Sequence, residues 1–340
     1  MRLHPYEYHR PGTVDEAIAL LAEHAGDVIP IAGGTDLVPN MKHRLFTPGH
    51  LVSLRGIEGM QGITEDAGGF TIGAATTLDS VARNEAVLEA LPSLARACAL
   101  VSGPQLRRMG TIGGNVCLDT RCTYYNQTLF WRKALGYCLK KDGDACHVVK
   151  GGTRCVAAHS ADAATALLPL EAELRIAGRE GERTTPINGF FTSDGVWNRR
   201  MEPGELLVSI RVPRPGAGTQ HSFQKLRARD SIDFPMLNIA ARVDFSEDGT
   251  VTGLQMAASG MGSYPRKLGK LDNHDQEPWK MPLCEFIEHL YFKRFCKERP
   301  DVVHSIEEKT RLDEAKKARK REAKLKARKA IAEEAGRELG

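Results

Sequence analysis

The chain has 340 residues, 41% hydrophobic and 26% charged, which is ordinary for a globular protein of two or three domains. Its formal net charge of +4 is too small to mark a nucleic-acid or membrane partner, and much of it gathers in the C-terminal tail. The opening Met1-Arg2-Leu3-His4-Pro5-Tyr6 lacks the apolar centre of a secretory signal, and no apolar run reaches the roughly 18–20 residues of a bilayer span. A soluble, cytoplasmic protein is expected, in which eight cysteines serve as thiols or metal ligands sooner than as disulfides.

Residues 13–24 have the spacing of an amphipathic helix, with Thr13 as N-cap and Glu16 as its capping-box partner. A short apolar run over 28–32 predicts a strand that leads into Gly33-Gly34-Thr35-Asp36. Further strands are expected over 51–54 and 70–74, then helices over about 77–85 and 86–101. Regular structure resumes with a helix over 161–170 and strands over 172–177 and 206–212. Residues 238–245, the turn Glu247-Asp248-Gly249 and a partner strand near 250–258 have a hairpin signature. From about 305 the chain is mostly Ala, Glu, Lys and Arg, and an exposed, partly helical extension is expected.

Residues 118–158 interrupt this pattern. They carry Cys122, Cys138, Cys146 and Cys155, spaced Cys-x15-Cys-x7-Cys-x8-Cys. So long an irregular segment needs something to hold it, and a metal centre would do so. Four thiolates suit zinc or an iron–sulfur cluster, although the usual paired Cys-x2-Cys is absent; unrelated free thiols are the alternative. Cys117 is a competing ligand, Cys98 lies in an apolar helical pattern, and Cys284 and Cys296 stand apart. His147 and His159 flank the segment and are expected at the surface.

Two glycine turns complete the candidate chemistry: Ala32-Gly33-Gly34-Thr35-Asp36 and Thr111-Ile112-Gly113-Gly114-Asn115. Glycine permits close backbone approach and positive φ, so successive amides can face a phosphate. Neither turn is a Gly-x-Gly-x-x-Gly or a P-loop, and each alone is more often structural, but two of them together make a shared pyrophosphate cradle more credible. Lys225 and Arg229 precede Asp233-Phe234-Pro235 and suit either a solvated strand face or a basic group near a cofactor. No hydrolytic triad, His-Glu-x-x-His or carboxylate pair is defensible.

These residues resemble a known family. Ile31-Ala32-Gly33-Gly34-Thr35-Asp36-Leu37 and Gly110-Thr111-Ile112-Gly113-Gly114-Asn115 look like the two FAD pyrophosphate loops of the flavoprotein subunits of the molybdenum hydroxylases. Ser160-Ala161-Asp162 resembles the family's helix start, where an Asp contacts the flavin, and the Lys225 segment resembles its flavin-side strand. The cysteine-bearing insert most resembles that of the 4-hydroxybenzoyl-CoA reductase β subunits, which holds a [4Fe-4S] cluster. The resemblance covers about residues 5–265 and weakens after about 262.

The resemblance implies an α+β fold: a two-lobed, PCMH-like FAD-binding domain, then a smaller α+β domain with a three-stranded antiparallel sheet. The expected boundaries are 1–215 for the first, with 118–158 as the cluster insertion, 216–300 for the second and 301–340 for the extension. It implies FAD held by Ile31–Leu37, Thr111, Gly113, Gly114, Asn115, Asp162 and Lys225, and a [4Fe-4S] cluster on Cys122, Cys138, Cys146 and Cys155. It implies a large molybdenum-cofactor subunit, a small subunit with two [2Fe-2S] clusters, a dimer of heterotrimers, and an external donor such as ferredoxin. Substrate chemistry would lie on a partner subunit. The rival readings are a hydroxylase flavoprotein with the opposite electron flow and a zinc-stabilised interaction module.

Overall fold

A computed structural model describes residues 2–268. The charged extension, Cys284, Cys296 and most of the stretch after residue 262 lie outside the described residues.

The first lobe is built around a capped helix. Thr13 Oγ1 accepts the Glu16 amide at 3.1 Å and the Glu16 carboxylate accepts the Thr13 amide at 3.3 Å. This is the capping box its Thr-x-x-Glu spacing predicts, and it starts α1 (Val14–Glu23). Ala17 and Leu21, four residues apart, form its buried stripe. Beside it lies a parallel sheet in the order β1 (Glu7–His9), β3 (His50–Ser53), β2 (Val28–Ile31). Helix α2 (Leu37–Lys42) follows β2 after a short loop.

The second lobe carries a five-stranded antiparallel sheet. It consists of β4 (Ile63–Asp66), β5 (Gly69–Gly73), β6 (Glu173–Gly178), β7 (Gly181–Pro186) and β8 (Leu206–Pro213), in the order β4-β5-β8-β6-β7. Its helices are α3 (Leu78–Arg83), α4 (Glu85–Ala90), α5 (Pro92–Leu100), α6 (Pro104–Arg107), α7 (Ile112–Val116), α8 (Leu129–Ala134) and α9 (Asp162–Leu167). One helix was expected over 86–101, and two form. Pro92 has no amide to continue α4, and its fixed φ suits the first position of α5. Every residue of α9 is buried.

The third sheet is antiparallel, in the order β12-β11-β10-β9: β9 (Thr219–Leu226), β10 (Leu237–Phe245), β11 (Val251–Ser259) and β12 (Arg266–Leu268). The expected hairpin is β10–β11. The expected three strands are present, with short β12 added at the edge. The mixed two-lobed fold followed by an antiparallel sheet is the architecture the resemblance implies.

One apolar core runs from Ala17 in α1 through Phe70, Leu94, Ile112 and Leu167 to Ala257 in β11. Inside it lies a polar chain. Lys225 Nζ donates to Asp162 Oδ2 at 2.6 Å and to the Leu100 carbonyl at 3.3 Å. Asn238 Nδ2 donates to Asp162 Oδ1 at 2.8 Å and to Ser259 Oγ at 3.3 Å. Both charged side chains are only 2% exposed. Burial pushes the Asp162 carboxyl above the usual carboxylate range, and Lys225 opposes that shift. The chain of bonds pins α9 and the end of α5 to the third sheet.

Removing one member of a buried pair leaves an uncompensated charge, which costs about 3–5 kcal/mol. Lys225→Met should lower the unfolding free energy from urea titration by that amount. Adding Asp162→Asn should recover most of the loss, because the stranded charge goes with it. A Lys225→Met variant as stable as the parent chain would refute this.

Candidate cofactor and metal sites

The first glycine loop leaves β2 at Ile31 and passes through Ala32, Gly33, Gly34, Thr35 and Asp36 to Leu37, the first residue of α2. Gly34 is left-handed, with φ +68°, and a Cβ on Gly33 would lie 1.8 Å from the Met109 carbonyl oxygen. Gly33 is therefore the point where the second loop presses against the first. The amides of Gly33, Gly34, Thr35 and Asp36 donate to no acceptor among the described residues. Four unspent donors in a half-exposed turn are what a phosphate anion needs, so the loop fits the pyrophosphate of a dinucleotide.

The second loop differs. The Gly113 amide donates to the Ala74 carbonyl at 2.8 Å and the Ile112 amide to Thr76 at 2.9 Å. The Gly114 amide donates to Thr111 Oγ1 at 3.1 Å. A Cβ on Gly113 would sit 2.6 Å from the Ala74 Cβ. These glycines serve close packing, and the loop backs the first one instead of adding free amides. Asn115 Oδ1 accepts the Ala163 amide at 3.0 Å, which brings the loop to the first turn of α9. Asp162 and Lys225 face each other inside the core, so their placement steadies the wall behind the loops.

The insert brings its four cysteines together. Cys122, Cys138, Cys146 and Cys155 all line one small pocket, with Tyr125 and Lys140 in its wall. All four are free thiols. No three of the sulfurs lie within 4.8 Å of one another. Polar staples hold much of the insert, beside buried Tyr125 and Ala157. Lys140 Nζ, almost wholly buried, donates to Asp119 Oδ1 at 2.8 Å and to the Thr120 carbonyl at 3.0 Å. Thr120 Oγ1 donates to the Gly195 carbonyl at 2.6 Å. Buried Arg132 donates to the carbonyls of Gln127 at 3.2 Å and Arg44 at 2.8 Å. Burial pushes the Cys155 thiol up, while its bond with the Ala157 backbone and the Lys140 charge draw it down.

Residues that the sequence reading did not single out join the two sites. Arg121 forms an ion pair with Asp36, and its guanidinium lies 5.2 Å over the Phe234 ring. Burial pulls its pKa down to about 10. Asn126 Oδ1 accepts the Cys122 amide at 3.0 Å, and Asn126 Nδ2 reaches Asn40 Oδ1 at 3.5 Å. Asn40 in turn donates to Asp36 at 3.2 Å. The one sequence signal was the placement of Arg121 and Asn126 beside Cys122.

Several expectations need correcting. His159 is fully buried with both ring nitrogens unpartnered, because its backbone pairs with Gly260 and Gly262 and its ring meets Phe191 edge-on at 5.1 Å. His147 is half-buried in the wall of the cysteine pocket, and its Nε2 lies 2.5 Å from the Tyr137 carbonyl. Cys117 lies outside the pocket, its Sγ 3.8 Å from the Met201 sulfur. Lys225 is buried, where a solvated strand face was one reading. Cys98 is in the core, as its helical pattern indicates, and Arg229 sits exposed against Asp233. Among the described residues no helix is long and apolar enough to cross a membrane.

An α+β scaffold with an anion-ready glycine loop defines a dinucleotide-cofactor-binding class. Residues 4–215 match the FAD binding domain in molybdopterin dehydrogenase, and the chain belongs to that family, the FAD-binding subunits of the molybdenum hydroxylases. It is similar to the carbon monoxide dehydrogenase medium chain of Afipia carboxidovorans, 32% identical over 66% of this chain and 64% of that one. It thus spans under two thirds of that relative's length. It is also similar to the aldehyde oxidoreductase FAD-binding subunit of Escherichia coli, 32% identical over 78% of this chain and 85% of the relative. Its fold matches a chain of the Cu,Mo-CO dehydrogenase crystal structure with a TM-score of 0.64 at 28% identity, over 78% and 79% of the two chains.

Two outcomes follow from these sites. Gly33→Ala places a methyl group inside the Met109 backbone, so the loops must part, and FAD affinity should fall by roughly tenfold or more. The flavin absorbance-to-protein ratio after dialysis reads this, and full retention would show that the loop contact is not needed. His159 is held down to a pKa of about 3 by burial, against about 6.5 when unfolded. The unfolded state takes up the proton first, so stability is lost as pH falls below about 6.5. Between pH 7 and pH 5 the parent should lose about 2 kcal/mol more than His159→Phe in urea unfolding. Parallel pH profiles would contradict the buried neutral ring.

Proposed function

We propose that this chain is the electron-transfer flavoprotein subunit of a molybdenum-containing complex similar to 4-hydroxybenzoyl-CoA reductase. It would carry FAD and a [4Fe-4S] cluster. The observation that carries the reading is the convergence of Cys122, Cys138, Cys146 and Cys155 on one pocket, tied through Arg121 to the glycine loop at Asp36. The relatives speak for FAD, whereas the cluster rests on this chain's own pocket.

Four thiolates suit zinc as well as an iron–sulfur cluster, and the likeness of the insert to that of the 4-hydroxybenzoyl-CoA reductase β subunits favours the cluster. FAD bound to such a chain supplies the exchange between one- and two-electron chemistry, and a cluster supplies single-electron transfer. The chain's residues do the holding. The amides of Gly33–Asp36 receive the pyrophosphate, with Ile31, Ala32 and Leu37 at the ends of their loop. Thr111, Gly113, Gly114 and Asn115 back it, and Asp162 with Lys225 fixes the α9 side.

In this reading the insert is 118–158, the FAD domain is 1–215, the second domain is 216–300 and the extension is 301–340. The partners are a large molybdenum-cofactor subunit that binds an aryl-CoA thioester and a small subunit with two [2Fe-2S] clusters, as a dimer of heterotrimers. An external donor such as ferredoxin supplies the electrons.

Cys138→Ser, purified without oxygen, should lose the iron and acid-labile sulfide while keeping most of its FAD. Iron, sulfide and flavin analysis of one sample decides the matter. Iron and sulfide retained at parental levels in Cys138→Ser would remove Cys138 from the ligand set.

A further inference from the structure

A second group of metal-ligating side chains lies in the first lobe, on elements that the FAD and cysteine sites do not use. His9 is the last residue of β1, His24 is the C-cap of α1, and His50 opens β3. One ring nitrogen from each lies within 4.8 Å of the other two. His9 Nε2 and His50 Nδ1 are 3.1 Å apart, and the His24 and His50 rings stack at 3.7 Å. The Glu7 carboxylate flanks them, 3.8 Å from His50 Nδ1 and 4.0 Å from His9 Nδ1.

The backbone beneath these groups is fixed by regular structure. Glu7 pairs directly with His50 in the parallel register, and His9, two residues on, shares the face of Glu7. The Glu7 amide donates to Gly49 at 2.8 Å, and the His50 amide donates to Asp27 at 3.0 Å. The His24 amide closes α1 by donating to Leu20 at 3.1 Å. Its ring has no hydrogen-bond partner among the described residues. It is half-buried, and a turn about χ2 would aim its lone pair at the point that the other two rings share.

We propose that His9, His24 and His50 form a binding site for a divalent transition cation, with zinc as the natural occupant and Glu7 as the fourth donor. Three imidazoles and a carboxylate are the borderline donors that zinc accepts in a tetrahedron. Calcium and magnesium demand oxygen sets and would be refused. The bound cation clips the three-residue edge strand β1 to β3 and to the end of α1, so its effect is on the stability of the first lobe. The inference does not rest on the flavin or the cluster.

The test uses the full chain purified without oxygen, so that the cysteine pocket stays in its native state, with zinc chloride as the probe. After chelator treatment and dialysis, the parent should take up one more zinc per chain than His24→Ala, and its thermal midpoint should rise by a few degrees with zinc. His50→Gln keeps a polar side chain in β3 and should weaken that uptake at least tenfold. His43→Ala, outside the cluster, should behave as the parent does. Unchanged FAD content in each variant reports an intact fold. Equal zinc uptake by the parent, His24→Ala and His50→Gln would overturn the site, as would a parent that takes up no such zinc.

Discussion

A carboxylate with 2% of its side chain exposed stays charged only beside a cation, and Asp162 has Lys225 at 2.6 Å. Asp162 opens α9, which is buried throughout, and Lys225 stands near the end of β9. The pair, with Asn238 and Ser259, is the polar seam between the second lobe and the third sheet. A seam of this kind is costly to desolvate and gives little net stability over an apolar contact. What it supplies is geometry. A hydrogen-bonded ion pair has one arrangement, whereas a leucine contact tolerates sliding. Asn115 transmits that arrangement to the second glycine loop by accepting the Ala163 amide in the first turn of α9.

The two glycine loops divide the labour. The second has given up its inner amides to Ala74, Thr76 and Thr111, and so has become rigid. The first keeps its amides free but gains definition from the contact at Gly33, where no side chain intervenes. A ligand cradle needs unspent donors that nevertheless do not move. One loop meets the first need and its neighbour the second. Arg121 then couples the cradle to the insert, since it pairs with Asp36 by its side chain and with Ala158 by its backbone. Any occupant that changed the charge near Asp36 would be felt one residue from Cys122.

The features legible in the sequence were those written in short-range chemistry. The Thr13–Glu16 capping box, the hairpin turn at Gly249 and the glycine loops all announce themselves within a few residues. The cysteines could be counted, though their convergence could not be read from their spacing. The rest depends on long-range partners. Strand β1 is three residues with no alternation, and only its register with β3 makes it a strand. Helix α8 hides in the insert because its exposed Phe130 and buried Arg132 invert the usual pattern. Lys225 reads as a surface residue in Gln-Lys-Leu until Asp162, far away in the chain, is placed against it. His159 looked exposed for the same reason, and the backbone of Gly260 and Gly262 closes over it.

The insert shows why an absent pattern can itself be informative. Thr120, Arg132 and Asn126 join it to the body through hydrogen bonds, and Lys140 ties Asp119 to Thr120 within it. Such bonds yield about 1 kcal/mol each when water competes for the same groups. Ordering the backbone of each residue costs a comparable amount or more. Staples alone therefore leave a segment of this length near balance. Four thiols that face one pocket tip the balance once a metal centre takes them, because the binding energy of a site that exists only in the ordered state is also folding energy. Lys140 fits that logic: burial of its ammonium is costly in an apolar pocket, but less so beside the charge that thiolates bring. In the proposed reading, the composition that makes 118–158 a poor segment for folding alone suits it to fold around a metal centre.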